Sequence, residues 1–493
     1  MKIFPRLLSL TLTLGSTLHG QDISAWITTS DRSMLGERSP EQRRFQERKP
    51  GLGPVITIDD SMAYQTMDGF GFALTGGSAE HLMAMSADAR SQLLHELFEP
   101  GPASTGISYL RLTIGASDLN SFVFSYDDLP AGETDPDLQN FDLGPDRLDV
   151  IPVMHEILEI NPDIPILGSP WSAPAWMKGN EEVRGGHLKP EYYPSYAQYF
   201  VKYIQEMARE GIRISAITIQ NEPLNSRNTP SMPWYLDEQR TFLRDHLIPA
   251  FKQAGLETDL VLFDHNTDRA DYPLALLDDP VISDFALGSG FHNYRGDLGA
   301  MSVVHQARPD KHLYFTEQMV TEDPTSNEIA IARRVKRMII GVTRNWSRNV
   351  ILWNLAADPH NDPHTDNGGC GICQGALTLD GDTVTRNIAY YTIAHASRFV
   401  PPGSVRIAST APGDDTVQLT EDEERPGLIR ATLIHETEVL PNVAFRTPDG
   451  QIVLIVANDS FYADSLLVQY RGHYVRLPLE PGAVGTFVWA AGE

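Results

Sequence analysis

I-S-A-I-T-I-Q-N-E-P-L-N, from Ile214 to Asn225, is a short apolar run that stops on a charge. Ile214, Ala216 and Thr218 alternate with Ser215, Ile217 and Ile219. A mostly apolar, β-branched run of this length predicts a strand buried on both faces. It ends in Gln220-Asn221-Glu222-Pro223. Burial at a strand tip raises the pKa of a carboxyl and disfavours its ionised form. Two readings of Glu222 are therefore open: a loop residue already in solvent, or a group placed for acid/base work.

Strands and helices alternate on both sides of this stretch. Strands are predicted at 68–73, 109–114, 165–169, 260–263, 286–291, 313–316 and 349–353. Helical spacing of apolar residues appears from Ser86 and over 148–160, 193–210, 238–254 and 328–344. With the opening strand this gives eight repeated units, which fit an α/β fold, a (β/α)8 TIM barrel over 67–394. From 395 to 493 the helical pattern stops. Short strand-like runs take over, with a Thr447-Pro448-Asp449-Gly450 hairpin turn between two of them. An accessory all-β sandwich is predicted there, joined by an N-terminal strand in 54–66. Residues 21–53, polar and Arg/Glu-rich, read as a weakly ordered leader or surface segment.

Hydrophobic residues make up 41% and charged residues 21%, as in a soluble globular protein. Lys+Arg of 39 against Asp+Glu of 65 gives a net charge of −26, which repels phosphate backbones and argues against a nucleic-acid partner. Lys2 and Arg6 precede a short apolar core from Leu7 to Leu14. This predicts a signal peptide over 1–20 and a secreted or periplasmic protein. No later apolar run is long enough to cross a bilayer, so no stable membrane insertion is expected. The two cysteines, Cys370 and Cys373, lie in G-G-C-G-I-C-Q-G. A disulfide pinning a Gly-rich loop and a pair of free thiols are both open readings, and two cysteines are too few for a four-cysteine zinc site.

In such barrels the chemistry gathers at the C-terminal strand tips. Here the tips carry Arg111 and Asp118, Trp171 and Trp176, Asn221 and Glu222, His292 and Tyr294, Glu317, and Trp353 with Asn354. Indoles can stack on sugar rings, amides and carboxylates can hold hydroxyls, and two opposed carboxyls can cleave a glycosidic bond. Glu222, stiffened by Pro223, is expected to be the acid/base. Glu317 is expected to be the nucleophile, kept ionised by Arg111 and by hydrogen bonds from His292 or Tyr294. Asn221 is placed to bond a sugar 2-hydroxyl. Taken singly, Arg111 reads equally as a buried ion-pair partner, Trp171 and Trp353 as core aromatics, and His292 as a structural histidine.

The segments M-D-G-F-G-F-A-L-T-G-G-S-A, Y-L-R-L-T-I-G-A-S-D-L, D-P-D-L-Q-N-F-D-L, I-L-G-S-P-W-S-A-P-A-W-M-K, T-I-Q-N-E-P, Y-F-T-E-Q and I-L-W-N-L-A together resemble glycoside hydrolase family 30. This is the family of lysosomal glucosylceramidase and of β-1,6-glucanases. The resemblance runs from about Asp68 to the C-terminus. It implies a retaining enzyme without metal or cofactor, and a sandwich formed from both chain ends. It implies Glu222 as acid/base and Glu317 as nucleophile. It places Asn221, Arg111, Trp171, Trp353, Tyr294 and His292 at active-site positions. One departure stands out. The glucosylceramidase branch has an aspartate after the first-strand threonine, implied to bind glucose hydroxyls, where this chain has Gly76 after Thr75. The segment N-T-P-S-M-P-W (Asn228 to Trp234) resembles the β-1,6-glucanase side. The expected function is a secreted retaining β-glycosidase of glucosylceramidase type acting on a β-glucoside, with an endo-β-1,6-glucanase acting on β-glucan as the alternative. A non-catalytic carbohydrate-binding protein and a scaffold protein are the readings from other classes. The sequence leaves the oligomeric state open.

Overall fold

The computed structural model describes residues 22–492 except 53, 324, 411–415, 423–424, 426–427, 435–438 and 462. The segment read as a signal peptide lies outside the described residues.

Eight strands form the barrel: β1 (Gly69–Leu74), β2 (Tyr109–Ile114), β3 (Ile166–Pro170), β4 (Ala216–Ile217), β5 (Asp259–Asn266), β6 (Ala286–His292), β7 (His312–Glu317) and β8 (Asn349–Asn354). Each pairs in parallel with its sequence neighbour from β1 to β7, and β8 pairs with β1. The seam between β7 and β8 closes partly through a side chain. Asn349 Oδ1 accepts from the Phe315 amide at 2.8 Å, beside a backbone bond from Arg348 N–H to Leu313 O at 2.9 Å.

Strand alternation explains where the polar groups sit. Tyr109, Leu167, Ala216, Val261, Tyr314 and Ile351 form one apolar layer inside the barrel. The next layer up holds Arg111, Ser169, Thr218, Asp264, Thr316 and Trp353, two residues further along each strand except on β5, where Asp264 stands three beyond Val261. Side chains repeat every two residues, so a mostly polar layer rests on an apolar floor. The ladder of β4 is only two residues long, but its chain continues upward through Thr218 N–H to Gly168 O (2.9 Å) and Asn221 N–H to Pro170 O (2.7 Å).

Helices cover the outside. The helix Tyr193–Arg209 buries Tyr196, Phe200, Tyr203 and Met207 against the barrel, as its amphipathic spacing requires. The helix read from Glu328 starts instead at Ile331. The Ile329 amide is used elsewhere, donating to Ser30 O at 2.8 Å.

Among the described residues the second unit is built on a 10-stranded sheet drawn from both chain ends. Within the segment read as a leader or surface stretch, Asp22–Thr28 and Arg43–Arg44 pair as strands of this sheet. Asp22–Thr28 pairs antiparallel with Val484–Ala490, matching Ser24 to Val488 and Trp26 to Thr486. Ile23 and Phe45 are buried in the sandwich core, and the Phe45 ring lies 5.4 Å from Trp489 and 6.1 Å from Tyr470. The charges that make this segment look leader-like sit on its outer face. Phe45→Ala is expected to lower unfolding free energy by about 3–5 kcal/mol, read by chemical denaturation. The Thr447–Gly450 turn closes as expected, with Gly450 at φ 81° and its N–H on Thr447 O at 3.0 Å. Among the described residues no helix is long and apolar enough to cross a membrane.

Candidate active site

Arg111 of β2 is the centre of the polar layer and is fully buried. Its Nη1 donates to Glu317 Oε2 at 2.6 Å. Its Nη2 donates to Asn221 Oδ1 at 2.9 Å and Asp264 Oδ2 at 2.8 Å, and its Nε to Ser169 Oγ at 3.2 Å. One guanidinium thus ties β3, β4, β5 and β7 together. It also takes the carbonyl oxygen of Asn221, which leaves that residue's amide N–H groups for a substrate hydroxyl.

Glu317, at the tip of β7, also accepts from the Tyr294 hydroxyl at 3.0 Å. Glu222, past the tip of β4, accepts from Asn225 Nδ2 at 2.7 Å and contacts His292 Nδ1 at 3.2 Å. A carboxylate oxygen of each glutamate and a ring nitrogen of His292 all lie within 4.8 Å of one another. These are three potential metal-ligand atoms, but Arg111, Tyr294, Asn225 and Asp264 already engage the same side chains.

The two carboxyls titrate as one system. Burial lifts Glu317, against the pull of His292 and Arg111, and the neighbouring Glu222 charge lifts it further. Burial also opposes ionisation of Glu222, but the His292 contact, the charges of His265 and His292, and Asn225 draw it down to about 2. That order holds while His292 is a cation. Burial disfavours the imidazolium, yet Glu317, Asp264 and Glu222 raise it to about 9. Of the two carboxyls, Glu317 alone touches a guanidinium, that of Arg111.

The histidine has a measurable signature. Its folded pKa lies above the ordinary value near 6.5, so its contribution to stability is full below pH 6.5 and is lost as pH rises through about 9. The loss is expected to be about 3 kcal/mol. Denaturation of wild type and His292→Asn across this window should show the slope in the first and not in the second.

The structure brings all eight sequence-predicted site residues together. The Trp171 and Trp353 rings stack at 5.2 Å, with the Arg111 guanidinium 5.0 Å from the first and 5.8 Å from the second. Both indoles are buried, packed with Ala73, Leu119 and Cys373. His292 lies between the carboxyls: it is fully buried, with Nδ1 on Glu222 and 3.7 Å from Glu317 Oε1, and Nε2 3.0 Å from Asp264 Oδ1.

Asp264 is the main residue the sequence reading missed. It accepts from Arg111, from Thr218 at 2.7 Å and from Thr316 at 2.6 Å. Burial would raise its pKa, but Arg111 and His292 hold it far below the ordinary range. Asp118, noted at the rim but not assigned, is a fourth buried carboxyl beside Glu222, Glu317 and Asp264. Burial and the charges of Glu317 and Glu222 raise it to about 8. The Trp171 indole N–H faces it without reaching full hydrogen-bonding geometry.

Several loops lock together on one side of the mouth. Arg184 Nη1 donates to Asn367 O at 2.8 Å, Thr229 Oγ1 to the same oxygen at 2.7 Å, and Thr365 N–H to Asp118 O at 3.0 Å. Thr365 Oγ1 also donates to Thr229 O. Cys370 and Cys373 are joined as a disulfide within this wall, and Cys373 packs with Trp171 and Trp353. At Gly76, any Cβ would overlap the Asn120 amide. A neighbouring amide thus fills the place where the glucosylceramidase branch is implied to carry its aspartate.

Residues 67–400 match the glycosyl hydrolase family 30 TIM-barrel domain, and residues 403–487 match the glycosyl hydrolase family 30 beta sandwich domain. The chain belongs to glycosyl hydrolase family 30. It is a glycoside hydrolase of this family, and among its relatives are proteins from both sides of it. The endo-1,6-beta-D-glucanase BGN16.3 of Trichoderma harzianum is 35% identical over 72% of this chain and 74% of its own length. The lysosomal acid glucosylceramidase of Mus musculus is 25% identical over 90% of this chain and 85% of its own. The solved endo-beta1,6-glucanase BT3312 superposes with a TM-score of 0.81 at 31% identity, covering 95% of this chain and 99% of that one. The family 30 fold thus accounts for both units, the barrel and the sandwich.

Proposed function

We propose that the chain is a retaining endo-β-1,6-glucanase that cleaves β-glucan by double displacement. The observation that carries the reading is the Glu222–Glu317 pair with oxygens inside 4.8 Å. Retaining glycosidases hold their carboxyls roughly 5–5.5 Å apart, and inverting ones need a gap of roughly 6.5–9.5 Å to admit a water. In the first step Glu317 attacks the anomeric carbon while Glu222 protonates the leaving oxygen. In the second, Glu222 takes a proton from water, whose oxygen displaces Glu317. Arg111 and Tyr294 hold Glu317 on line throughout. Asn221, its side-chain carbonyl already taken by Arg111, offers an N–H to the sugar 2-oxygen and so helps hold the ring on line.

The β-1,6-glucan substrate is supported by the higher identity to endo-1,6-β-glucanases than to glucosylceramidase. The filled space at Gly76 supports it too, since no carboxylate stands there to select a terminal glucose. Export is part of the same reading: Lys2, Arg6 and the apolar Leu7–Leu14 run form a leader, and a disulfide suits an oxidising compartment. The test is product analysis on pustulan, gentio-oligosaccharides, an aryl β-glucoside, an aryl β-xyloside and glucosylceramide. Gentio-oligosaccharides released from pustulan with β configuration are expected. Turnover of glucosylceramide with none of pustulan would replace the glucan reading by the glycolipid one.

A further inference from the structure

β5 carries two consecutive non-glycine residues at positive φ, Phe263 (74°) and Asp264 (61°). Its ladder with β6 slips at the same place, where Gly290 pairs with Phe263 and Phe291 with His265. One extra residue has been inserted, which is a β-bulge. A regular strand sends neighbouring side chains to opposite faces. The bulge brings both Asp264 and His265 into the barrel mouth, Asp264 onto Arg111 and His265 toward Glu222, with Nε2 3.8 Å from Oε1.

Glu222 is itself left-handed, at φ 48°. The two irregular turns are bonded to each other. Glu222 N–H donates to Asp264 O at 3.0 Å, and Leu224 N–H donates to His265 Nδ1 at 3.3 Å. The second bond fixes the tautomer: Nδ1 is an acceptor, so the ring proton sits on Nε2 and faces the glutamate. The charged groups around the ring are Glu222 from the β4 turn, His292 and Arg295 from the end of β6, and Asp264 from its own strand. Burial is the largest influence on His265 and holds it down at about 4, so the ring is neutral at neutral pH.

Resting on the retaining-glycosidase reading, we propose that His265 is a positioning residue for Glu222, a neutral donor whose Nε2–H closes onto Oε1 as the glutamate gives its proton away. In that step the bond from the anomeric carbon to the leaving oxygen breaks. The bond from Glu317 to the anomeric carbon forms, and the Glu222 proton passes to the leaving oxygen. The new carboxylate accepts from His265. In the second step the same donor releases Glu222 as it takes a proton from water. Contacts of this kind are often long in an empty site and shorten in the transition state.

The test compares His265→Leu and His265→Gln on phenyl and 2,4-dinitrophenyl β-gentiobiosides, one leaving group needing protonation and the other not. His265→Leu should lower kcat/KM on the phenyl substrate about tenfold or more, as expected for losing a hydrogen bond to a charged group. The dinitrophenyl kcat/KM, which reports glycosylation alone, should stay within a few-fold. Removing a donor to the carboxylate raises its pKa, so the alkaline limb of the phenyl profile should move up by about one pH unit. Glutamine, which can still accept from Leu224 and donate to Glu222, should restore most of the loss. Equal losses on both substrates, or an unmoved alkaline limb, would show that the ring only packs. Glu222→Gln run beside them separates the two ideas. If that variant loses kcat/KM equally on both substrates, Glu222 is not the acid; if only His265→Leu does so, the acid assignment stands and the positioning role falls.

Discussion

Glu317→Gln is expected to lower kcat by on the order of 10⁴–10⁶-fold on every substrate, activated or not, as loss of a nucleophile does elsewhere. The amide is nearly isosteric, so the fold should survive. Glutamine can still accept from Arg111 and Tyr294, the two contacts that fix the glutamate at 2.6 and 3.0 Å, but it cannot form the glycosyl ester. The discriminating measurement is intact mass after a 2-fluoro glycoside is added. Wild type should gain one sugar on the peptide containing Glu317 and the variant none. A label on Glu222, or residual turnover within tenfold of wild type, would overturn the assignment.

Glu222→Ala should behave differently. General acid/base catalysis contributes roughly 10²–10⁴-fold, and that loss should appear in full only where the leaving group needs a proton. With a dinitrophenyl substrate, glycosylation by Glu317 should persist and deglycosylation should stall for want of a base. The cavity left beside His292 and Asn225 should admit azide, which needs no base, and turnover should rise with azide concentration. The product identifies the stereochemistry. A β-glycosyl azide by NMR fits attack on a covalent α-linked intermediate, and an α-azide would sink the double-displacement mechanism.

The barrel was legible because its strands are buried on both faces and read as compact apolar runs with helical spacing between them. The tip residues Arg111, Glu222 and Glu317 were legible because each charge interrupts such a run. Asp264 was not, and the reason is geometric. Alternation from Val261 through Phe263 predicts that residue 264 faces away from the barrel interior, and only the bulge turns it inward. The strand also read as ending at Phe263, whereas it runs to Asn266. The role of His292 depended on the same missing residue, since its Nε2 partner is Asp264. At the N-terminus, Asp22–Thr28 has a weak pattern of its own and gains its partner, Val484–Ala490, from the far end of the chain. A partner that remote leaves no local trace in sequence.

The loop wall beside the mouth bears on how this enzyme can be changed. Arg184, Thr229, Thr365 and Asn367 come from three different loops and share acceptors. The Thr365 amide rests on the backbone of Asp118, a residue of the pocket itself. The shape of this wall is therefore not held by any one loop. Grafting the segment after β4 alone from a relative would leave the segment after β8 without its supports. A transplant that exchanges 182–187, 226–234 and 361–374 together keeps the contacts they share, so a change to this wall is expected to succeed only when the three segments move as a block.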